Sequence, residues 1–403
     1  MHTVKTPAAA YRFLHLDAWR GMAIAGILLV NIYAFGLPYD TLNNPYLLSS
    51  ARVSDACNWL LTAVFLDGSF RAILSFLFGA GLMLWQEKLP MPQAGQLYFR
   101  RMIILLILGL VHAYLFLWFW DILCMYAICG MLLYTVRKWP VKRLLCMAIL
   151  CVFIADLNAN RKLFEDKMAI KQKSLPGDSM QHQAAFAGLD TAILKTRIQN
   201  EIKDKTSSFA GLYQQQAVRA WQVQTADFPA FYVWDILIWI IPGIIFYKMK
   251  WLTGYVPPKV YKGLLLAGIA GLFLCWQRVQ PAWQNNFDPI ATVKDTRWQY
   301  YELARTLRSL GWLGLLIWLW QTARANWLLS LLAPMGRLSL SHYMAQSLLC
   351  AVLFYYPGFA LFGQLNRMQL LCVALLIIML QVIISHWWVK RYGIGLAERL
   401  LRK

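Results

Sequence analysis

The stretch that decides the fold class is Leu16-Asp-Ala-Trp-Arg-Gly-Met-Ala-Ile-Ala-Gly-Ile-Leu-Leu-Val-Asn-Ile32. It is an apolar run long enough to enter a membrane as a helix, yet it carries Asp17, Arg20 and Asn31. Charged side chains are expensive inside a bilayer, so residues of this kind are functional candidates by default. Similar charges interrupt several later apolar runs, and we expect them to serve a common role.

The composition of the whole chain is that of a polytopic membrane protein. Of the 403 residues 59% are hydrophobic, and they fall into blocks long enough to span a bilayer. No cleavable signal precedes Asp17, so we expect the first block to remain as a helix. The eight cysteines lack metal-ligand spacing and are predicted to be small buried residues, so no metal site is expected. The predicted fold is all-α with about ten transmembrane helices, over residues 18–36, 57–85, 102–118, 120–136, 142–157, 231–248, 262–276, 303–320, 328–355 and 368–389.

Basic residues alternate between the predicted loops and set the orientation. With the amino terminus in the cytoplasm, the cytoplasmic loops collect most of the lysines and arginines, and the short outer loops carry few. This positive-inside pattern predicts an even number of helices with both termini in the cytoplasm. The net charge of +20 therefore requires no nucleic-acid partner, because many of the basic residues act as topology anchors.

One connection, residues 158–230, does not fit the short-loop pattern. It is polar, far longer than an ordinary connection between helices, and falls on the outer face in this topology. The predicted organisation is therefore helices one to five in residues 1–157, an extracytoplasmic loop in 158–230, and helices six to ten in 231–403.

Within this loop, Ala184 to Ile202 has the amphipathic pattern of a surface helix. Such a helix either lies on lipid or on the helix bundle, or it covers a substrate site. Its predicted apolar positions are Phe186, Leu189, Ile193 and Ile198.

Helix one carries polar residues at two levels. Asp17 and Arg20 are three residues apart, so they share a helix face and can pair. The pair either anchors the helix at the cytoplasmic surface or presents a guanidinium to a phosphate in an inner vestibule. Asn31, three turns higher, either joins helices or takes part in catalysis.

Helix two carries Asp67, Arg71 and Ser75 ahead of the small residues 79–81. Asp67 and Arg71 have the i, i+4 spacing of an ion pair within one helix. A buried ion pair is weak evidence for a stabilising role. Arg71 is therefore expected either to pair for structure or to contact substrate.

Helix three contains the strongest candidate for catalysis. His112 lies about three turns beyond Arg101 and precedes the aromatic turn Leu117-Trp-Phe-Trp120, after which Asp121 opens helix four. A lone histidine on an apolar helix is often a packing residue, but an imidazole oriented by a carboxylate is what general-base catalysis needs. We expect His112 and Asp121 to approach within hydrogen-bond reach, in a cavity toward the outer half of the membrane.

Helix nine carries a polar stripe along a helix that is otherwise apolar. The simplest interpretation of the stripe is a water-lined path. Arg337 precedes it near the cytoplasmic end and is expected to face the same vestibule as Arg20. The adjacent Ser341 and His342 do not form a nucleophile elbow, so this motif does not predict serine catalysis. The stripe consists of Ser339, His342, Tyr343 and Gln346 at spacings of three and four, followed by Ser347.

These motifs resemble the YeiB-like family of bacterial inner-membrane proteins, which is known as a domain of unknown function. The resemblance spans nearly the whole chain and implies a location in the bacterial inner membrane. The chain departs from the family at His342, Leu396 and Arg399, where an asparagine, a proline and an aromatic residue are expected. The matching words include Leu16-Asp-Ala-Trp-Arg-Gly21, Phe70-Arg-Ala-Ile-Leu-Ser-Phe-Leu-Phe-Gly-Ala-Gly81, Gly109-Leu-Val-His112, Asp121-Ile-Leu123, Gly336-Arg337 and Gly395-Leu-Ala-Glu398.

The family in turn is similar to transmembrane acyltransferases that acetylate sugars, including the lysosomal heparan glucosamine acetyltransferase and the bacterial O-acyltransferases. The shared word is the Leu-Asp-x-x-Arg-Gly start of helix one. This resemblance is at the level of the fold and raises the expectation of acyl transfer. The O-acyltransferases carry a histidine near the level of Asn31, and His112 is the available replacement in this chain.

The resemblance and the polar residues together imply transfer of an acyl group from cytoplasmic acyl-CoA to an extracytoplasmic or membrane-level hydroxyl or amine. In this hypothesis His112, oriented by Asp121, deprotonates the acceptor, and Asn31 or Tyr343 donates to the oxyanion. The expected acyl-CoA contacts are Asp17, Arg20, Arg101 and Arg337. The expected substrate-pocket residues are Asp67, Arg71, Ser75, Ser339, His342, Tyr343 and Gln346.

Two other classes of function remain open from the sequence. In a transporter or flippase of a small amphipathic molecule or lipid, the same charges line an alternating-access path. In a non-catalytic scaffold, the charges only pair with one another. The expected partners are membrane lipid, a small-molecule or glycan acceptor and, as an option, a second copy of the chain.

The orientation can be tested with reporter fusions at Lys403 and near Gly177. Because both termini are predicted in the cytoplasm and residue 177 on the outer face, the two fusions should report opposite compartments. The predicted topology is wrong if both fusions report the same compartment.

Overall fold

The computed structural model describes residues 13–48, 52–87, 94–172 and 189–401. Every regular element in these ranges is helical, which confirms the all-α class. In chain order the α-helices are α1 Leu14–Gly36, α2 Val53–Leu61, α3 Ser69–Gln86, α4 Ala94–Tyr114, α5 Leu123–Val136, α6 Val141–Gln172, α7 Thr191–Ser207, α8 Phe209–Gln222, α9 Val233–Lys248, α10 Pro258–Gln284, α11 Pro289–Asp295, α12 Tyr301–Gln321, α13 Asn326–Arg337, α14 Ser339–Phe354, α15 Arg367–Tyr392 and α16 Leu396–Leu400.

Six helical segments of the described chain are long and apolar enough to cross a membrane. The helices α5 and α14 are apolar but shorter, and α12 carries charges within its first turns. The coarse class of a helical membrane protein therefore agrees with the sequence, and the count of ten spans stays a prediction. The six segments are Leu14–Gly36, Val53–Gln86, Ala94–Tyr114, Phe209–Lys248, Pro258–Gln284 and Arg367–Tyr392.

Contacts of the two ends of α1 define the two ends of the bundle. His15, at the start of α1, donates from Nε2 to the Leu252 carbonyl at 3.0 Å and stacks on Trp320 near the end of α12. At the other end of α1, the carbonyl of Gly36 accepts from the Gly363 N–H at 2.8 Å, between α14 and α15. We call the end of the bundle at His15 the near end and the end at Gly36 the far end.

Two of the predicted helices are interrupted. The segment predicted as helix two breaks at Asp67 and Gly68, where Gly68 has a φ of +70°. Glycine adopts this left-handed conformation without steric cost, and a Cβ at Gly68 would also meet the Arg305 side chain. The segment predicted as helix nine breaks at Leu338, which has φ −112° and ψ 22° and separates α13 from α14.

The chain between α6 and α9 is more helical than the predicted loop. α6 continues to Gln172, and α8 runs into α9 through a π-helical segment, Val223–Tyr232, that contains Pro229. Both predicted domain boundaries, after residues 157 and 230, therefore fall within helices.

The predicted amphipathic helix is shifted along the chain. It is α7, over Thr191–Ser207, and its buried face contains Leu194 and Ile198, whereas Ile193 is exposed. Phe186 lies outside the described residues.

An ion pair holds α7 on the far end of the bundle. Lys205 donates to Glu201 at 2.9 Å, Glu201 accepts from the Tyr39 N–H at 3.0 Å, and the Lys205 carbonyl accepts from the Tyr356 N–H. Burial acts to raise the pKa of the Glu201 carboxyl, but the Lys205 ammonium and the Tyr39 N–H outweigh it, so that the pKa lies below its usual value. α7 is therefore docked on the loops that follow α1 and α14.

Close packing between α1 and α13 forms the near end. A Cβ on Gly21 would collide with the Leu332 carbonyl, and one on Gly336 would collide with the Asp17 carbonyl. The backbones of the two helices therefore touch at these glycines, as small residues allow in helix pairs within membranes. This contact places Arg337 beside the turn of α1 that carries Asp17 and Arg20.

Substitution of Gly336 tests this contact. Gly336→Ala should destabilise the protein by about 1–3 kcal/mol, because the added methyl group has no space between the two backbones. Thermal unfolding in detergent measures the change. Gly263→Ala is the matched control, since Gly263 also lies within a helix but has nothing within 4 Å of an added Cβ. Equal melting temperatures for the two variants would contradict the packing described here.

Candidate functional site

The predicted pair of His112 and Asp121 forms at the far end of α4. His112 Nδ1 lies 2.8 Å from Asp121 Oδ1, which confirms the expected contact. The second carboxylate oxygen, Oδ2, accepts from the Cys124 N–H at 2.8 Å and so caps the first turn of α5. Gly109 lets the helices approach, because a Cβ there would meet Cys124 and Asp121. The aromatic turn thus folds α5 back beside α4 and orients the imidazole.

Ser347 completes this arrangement from the other side of the ring. Its Oγ lies 2.7 Å from His112 Nε2, and the Tyr343 ring packs 4.7 Å from the imidazole. All three polar residues are enclosed, with exposed fractions of 0% for His112, 2% for Asp121 and 1% for Ser347. Ser347 was not among the predicted site residues; its position one turn after Tyr343 on the polar stripe was the available signal.

Asn31 makes no hydrogen bond to this group among the described contacts. It is half-buried and lies one turn before Phe35, which stacks on Trp118 at 3.8 Å. Trp118 lies in the turn that follows His112, and its backbone N–H donates to the His112 carbonyl at 3.3 Å. Asn31 therefore lies one helical turn away from the residue of α1 that contacts the aromatic turn, and its predicted catalytic role stays a prediction.

A cavity of about 600 Å³ lies between the aromatic turn and the helices that cover the far end. Phe119 and Trp120 form one wall, and α8 supplies Gln215, Arg219 and Gln222 to the other. Arg219 stacks over the Tyr39 ring at 4.1 Å. His112 and Asp121 are not among the lining residues, so the expectation that the pair itself lies in this cavity is wrong, and the aromatic turn separates the cavity from the buried group.

Three of the predicted phosphate-binding residues gather around the near end. Arg20 donates to Asp17 at 3.0 Å, and its other terminal nitrogen approaches Gly81 of α3. Arg101 lies over the Trp85 ring at 5.4 Å, one turn along α3 from Gly81. Arg20 and Arg101 thus flank the same end of α3.

Arg337 reaches the near end from α13. It donates to the Gly393 carbonyl at 2.8 Å, just after α15. Its neighbour Gly336 packs on Asp17, so the helices that carry Arg20 and Arg337 are in contact. Their convergence on one phosphate pocket stays a prediction.

The predicted ion pair between Asp67 and Arg71 is wrong. The helix breaks between them at Gly68, so the i, i+4 spacing no longer places them on one face. Arg71 instead pairs with Asp235 of α9 at 2.8 Å, and Asp67 accepts from the Tyr301 hydroxyl at 3.1 Å. Ser75, the third predicted pocket residue of this helix, lies 2.7 Å from the Tyr126 hydroxyl.

Asp235 joins two arginines in a buried cluster that the sequence analysis missed. Its other oxygen pairs with Arg305 of α12, and Arg305 Nε donates to Glu302 at 3.1 Å. Nearby, Arg308 donates to the carbonyls of Ala63 at 2.8 Å and Val64 at 3.0 Å. Arg308 therefore binds carbonyl groups beside the break before α3. The signal was present in the sequence as charged residues within two predicted spans, 231–248 and 303–320.

The predicted polar stripe on α14 divides between two helix interfaces. His342 Nε2 lies 2.6 Å from Ser385 Oγ, and Gln346 donates to Gln381 at 2.8 Å, both on α15. Tyr343 faces His112 instead. Ser339 is the first residue of α14 and is half-buried. The interpretation as one water-lined path is wrong, because His342 and Gln346 are buried and bonded to their neighbours.

The charge cluster can be tested at Asp235. Asp235→Asn should cost about 3–5 kcal/mol of stability, because it removes the carboxylate shared by the buried Arg305 and the half-buried Arg71 guanidinium groups. Thermal unfolding is the measurement, and Glu165→Gln is the control, since its pair with Arg161 is exposed and should change stability by about 0.5 kcal/mol or less. Combining Asp235→Asn with Arg71→Gln should recover part of the loss. An unchanged melting temperature for Asp235→Asn would rule out the cluster as a structural element.

Comparison with known proteins finds relatives along nearly the whole chain and a family match in its carboxy-terminal part. Residues 246–403 match the family described as a protein of unknown function (DUF418). The uncharacterized protein YeiB of Escherichia coli is 26% identical over 97% of this chain and 96% of its own length. The uncharacterized protein YxaH of Bacillus subtilis is 24% identical over 96% of this chain and 92% of its own. An uncharacterized 39.9 kDa protein from the amylase 3′ region of Bacillus acidopullulyticus is 26% identical, with the same coverage.

No solved structure matches the chain significantly. The matching relatives are uncharacterized, so the resemblance to acyltransferases stays a prediction. The similarity to YeiB and YxaH extends over nearly the full length of all three chains. The chain is similar over nearly its full length to the YeiB and YxaH proteins, and its residues 246–403 match the DUF418 family of unknown function.

Proposed function

We propose that this protein is a membrane-embedded acyltransferase that uses cytoplasmic acyl-CoA. The observation that carries the proposal is the buried hydrogen bond between His112 Nδ1 and Asp121 Oδ1. A carboxylate on one ring nitrogen fixes the tautomer and leaves the other nitrogen able to accept a proton. General-base activation of a hydroxyl or amine requires this arrangement.

The donor side of the proposal is the near end, which corresponds to the cytoplasmic face in the predicted ten-helix topology. Acyl-CoA is expected to bind here as a co-substrate, through its phosphates, to Arg20, Arg101 and Arg337. The guanidinium group suits bidentate contacts with phosphate oxygens. The close contact of α1 with α13 supports this assignment, because it brings the helices of Arg20 and Arg337 together.

The acceptor side is the far end, where the cavity lies under α7 and α8. An acceptor in this cavity is separated from His112 by the turn that contains Phe119 and Trp120. Catalysis therefore requires the turn to move, after which His112 can take the proton of the acceptor. Tyr343 and Asn31 are the proposed donors to the oxyanion: the Tyr343 ring packs 4.7 Å from the imidazole, and Asn31 lies one helical turn before Phe35, which stacks on Trp118 of the turn.

A second candidate is a transporter or flippase of a small amphipathic molecule or lipid. It is favoured by the interruptions at Gly68 and Leu338 and by the cluster around Asp235, since broken helices and buried charges line the paths of many transporters. In that case no acyl-CoA is consumed, and the charges bind the cargo.

His112→Ala distinguishes a catalytic from a structural histidine. In the acyltransferase, this variant should lose roughly 10²- to 10⁴-fold in the rate of CoA thiol release, because the general base is gone. It should keep the thermal stabilisation by acyl-CoA, since the phosphate contacts lie at the near end. Purified protein with acetyl-CoA to palmitoyl-CoA and a membrane extract as the acceptor source provides the measurement.

His386→Ala is the matched control, because this exposed histidine bonds only within its own helix among the described contacts and should leave the rate unchanged. A lower melting temperature for His112→Ala with an unchanged rate per folded molecule would make His112 structural. If no acyl-CoA stabilises the wild type or is consumed by it, the acyltransferase proposal fails and the transporter remains.

A further inference from the structure

A chain of hydrogen bonds connects three parts of the fold and consists of Ser347, His112 and Asp121. Ser347 Oγ lies 2.7 Å from His112 Nε2, and His112 Nδ1 lies 2.8 Å from Asp121 Oδ1. An ionised carboxylate can only accept, so Nδ1 carries the proton and Nε2 accepts from the Ser347 hydroxyl. The Ser347 hydroxyl, the His112 imidazole and the Asp121 carboxylate thus have the relative positions of a nucleophile, a base and an orienting acid. Such a triad is recognised by its geometry, because the order of the three residues along the chain differs between proteins.

A second buried pair of histidine and serine shows what a structural contact of this kind looks like. His342 Nε2 lies 2.6 Å from Ser385 Oγ, but Ser385 donates its proton to the Gln381 carbonyl of its own helix. No carboxylate contacts His342 in the described part of the chain. Ser347 differs on both points, because its only described side-chain hydrogen bond is to His112, and His112 is held by Asp121.

We infer that Ser347 is a nucleophile that carries the acyl group as an ester between the two substrates. This inference rests on the proposed acyltransferase function and replaces direct transfer by two steps. In the first, Ser347 Oγ attacks the thioester carbon, the C–S bond breaks, and the hydroxyl proton passes through His112 Nε2 to the CoA thiolate. In the second, the acceptor hydroxyl or amine attacks the ester, its proton passes to His112, and His112 returns a proton to Ser347 Oγ.

The covalent step also resolves a spatial problem in the fold. The arginines assigned to acyl-CoA are at the near end, whereas the cavity lies beyond the aromatic turn at the far end. Direct transfer would need both substrates at His112 together, within a group that is almost completely enclosed. An acyl group held on Ser347 lets CoA leave on one side before the acceptor enters from the other.

The test is a single-turnover labelling experiment on the full-length protein in detergent. Protein is mixed with acetyl-CoA or palmitoyl-CoA labelled in the acyl group, without acceptor, and quenched in acid. Wild type should retain label on the peptide that contains Ser347, as an ester that resists neutral hydroxylamine. Ser347→Ala should lose roughly 10²-fold or more of this label. Ser385→Ala, which changes the serine of the structural pair with His342, should keep the label.

The variant Ser347→Cys shows whether Ser347→Ala loses label only because it misfolds. A thiol at this position should take up the label as a thioester, which neutral hydroxylamine releases. Ser347 is supported as the nucleophile if both proteins retain label, and if neutral hydroxylamine releases the label from Ser347→Cys but not from wild type. Steady-state transfer should then follow ping-pong kinetics.

Failure of the inference differs from failure of the proposed function. If Ser347→Ala transfers acyl groups at the wild-type rate, or if wild type turns over without retaining label, Ser347 is not the nucleophile and the acyltransferase stands with direct transfer. If wild type neither retains label nor releases CoA thiol from either acyl-CoA, both proposals are wrong.

Discussion

The pairing of buried charge is the constraint on which the rest of this structure depends. Asp235 binds both Arg71 and Arg305, and so connects α9 to α3 and α12 in the interior of an apolar bundle. A guanidinium without a carboxylate in such surroundings would be strongly destabilising, so these helices have little freedom to pack in another order. Arg308 extends the same constraint to the break before α3, where it satisfies carbonyl groups that an unbroken helix would have bonded internally.

The cluster around Asp235 and the group around His112 use charge in different ways. In the first, each ion binds another ion, which favours a fixed position of the helices. In the second, a single carboxylate orients a histidine whose free nitrogen faces a hydroxyl. The first arrangement is suited to holding the fold, and the second is suited to moving a proton. This difference is why the proposed chemistry is placed at His112, although more charge is buried at Asp235.

The covering helices connect the far end to the proposed chemistry. The buried pair of Glu201 and Lys205 docks α7 on the loops after α1 and α14. In α8, Gln216 donates to the Leu117 carbonyl at 2.9 Å, within the aromatic turn. The aromatic turn is therefore hydrogen-bonded to α8 on one side and to His112 on the other. A movement of α8 would reach the wall between the cavity and the buried group through Gln216, and also through Arg219, which lies over the Phe119 ring at 5.6 Å.

The sequence by itself determined the membrane class, the all-α fold and the contact between His112 and Asp121. These depend on local properties: apolar run length fixes which segments can cross a bilayer, and a short aromatic turn between two helices limits how far apart His112 and Asp121 can lie. Only the tertiary structure decided that Arg71 pairs with Asp235 rather than Asp67, and that Ser347 meets His112. Residues 235 positions apart come together through the packing of whole helix faces, and spacing along one helix does not specify which other helix lies against it.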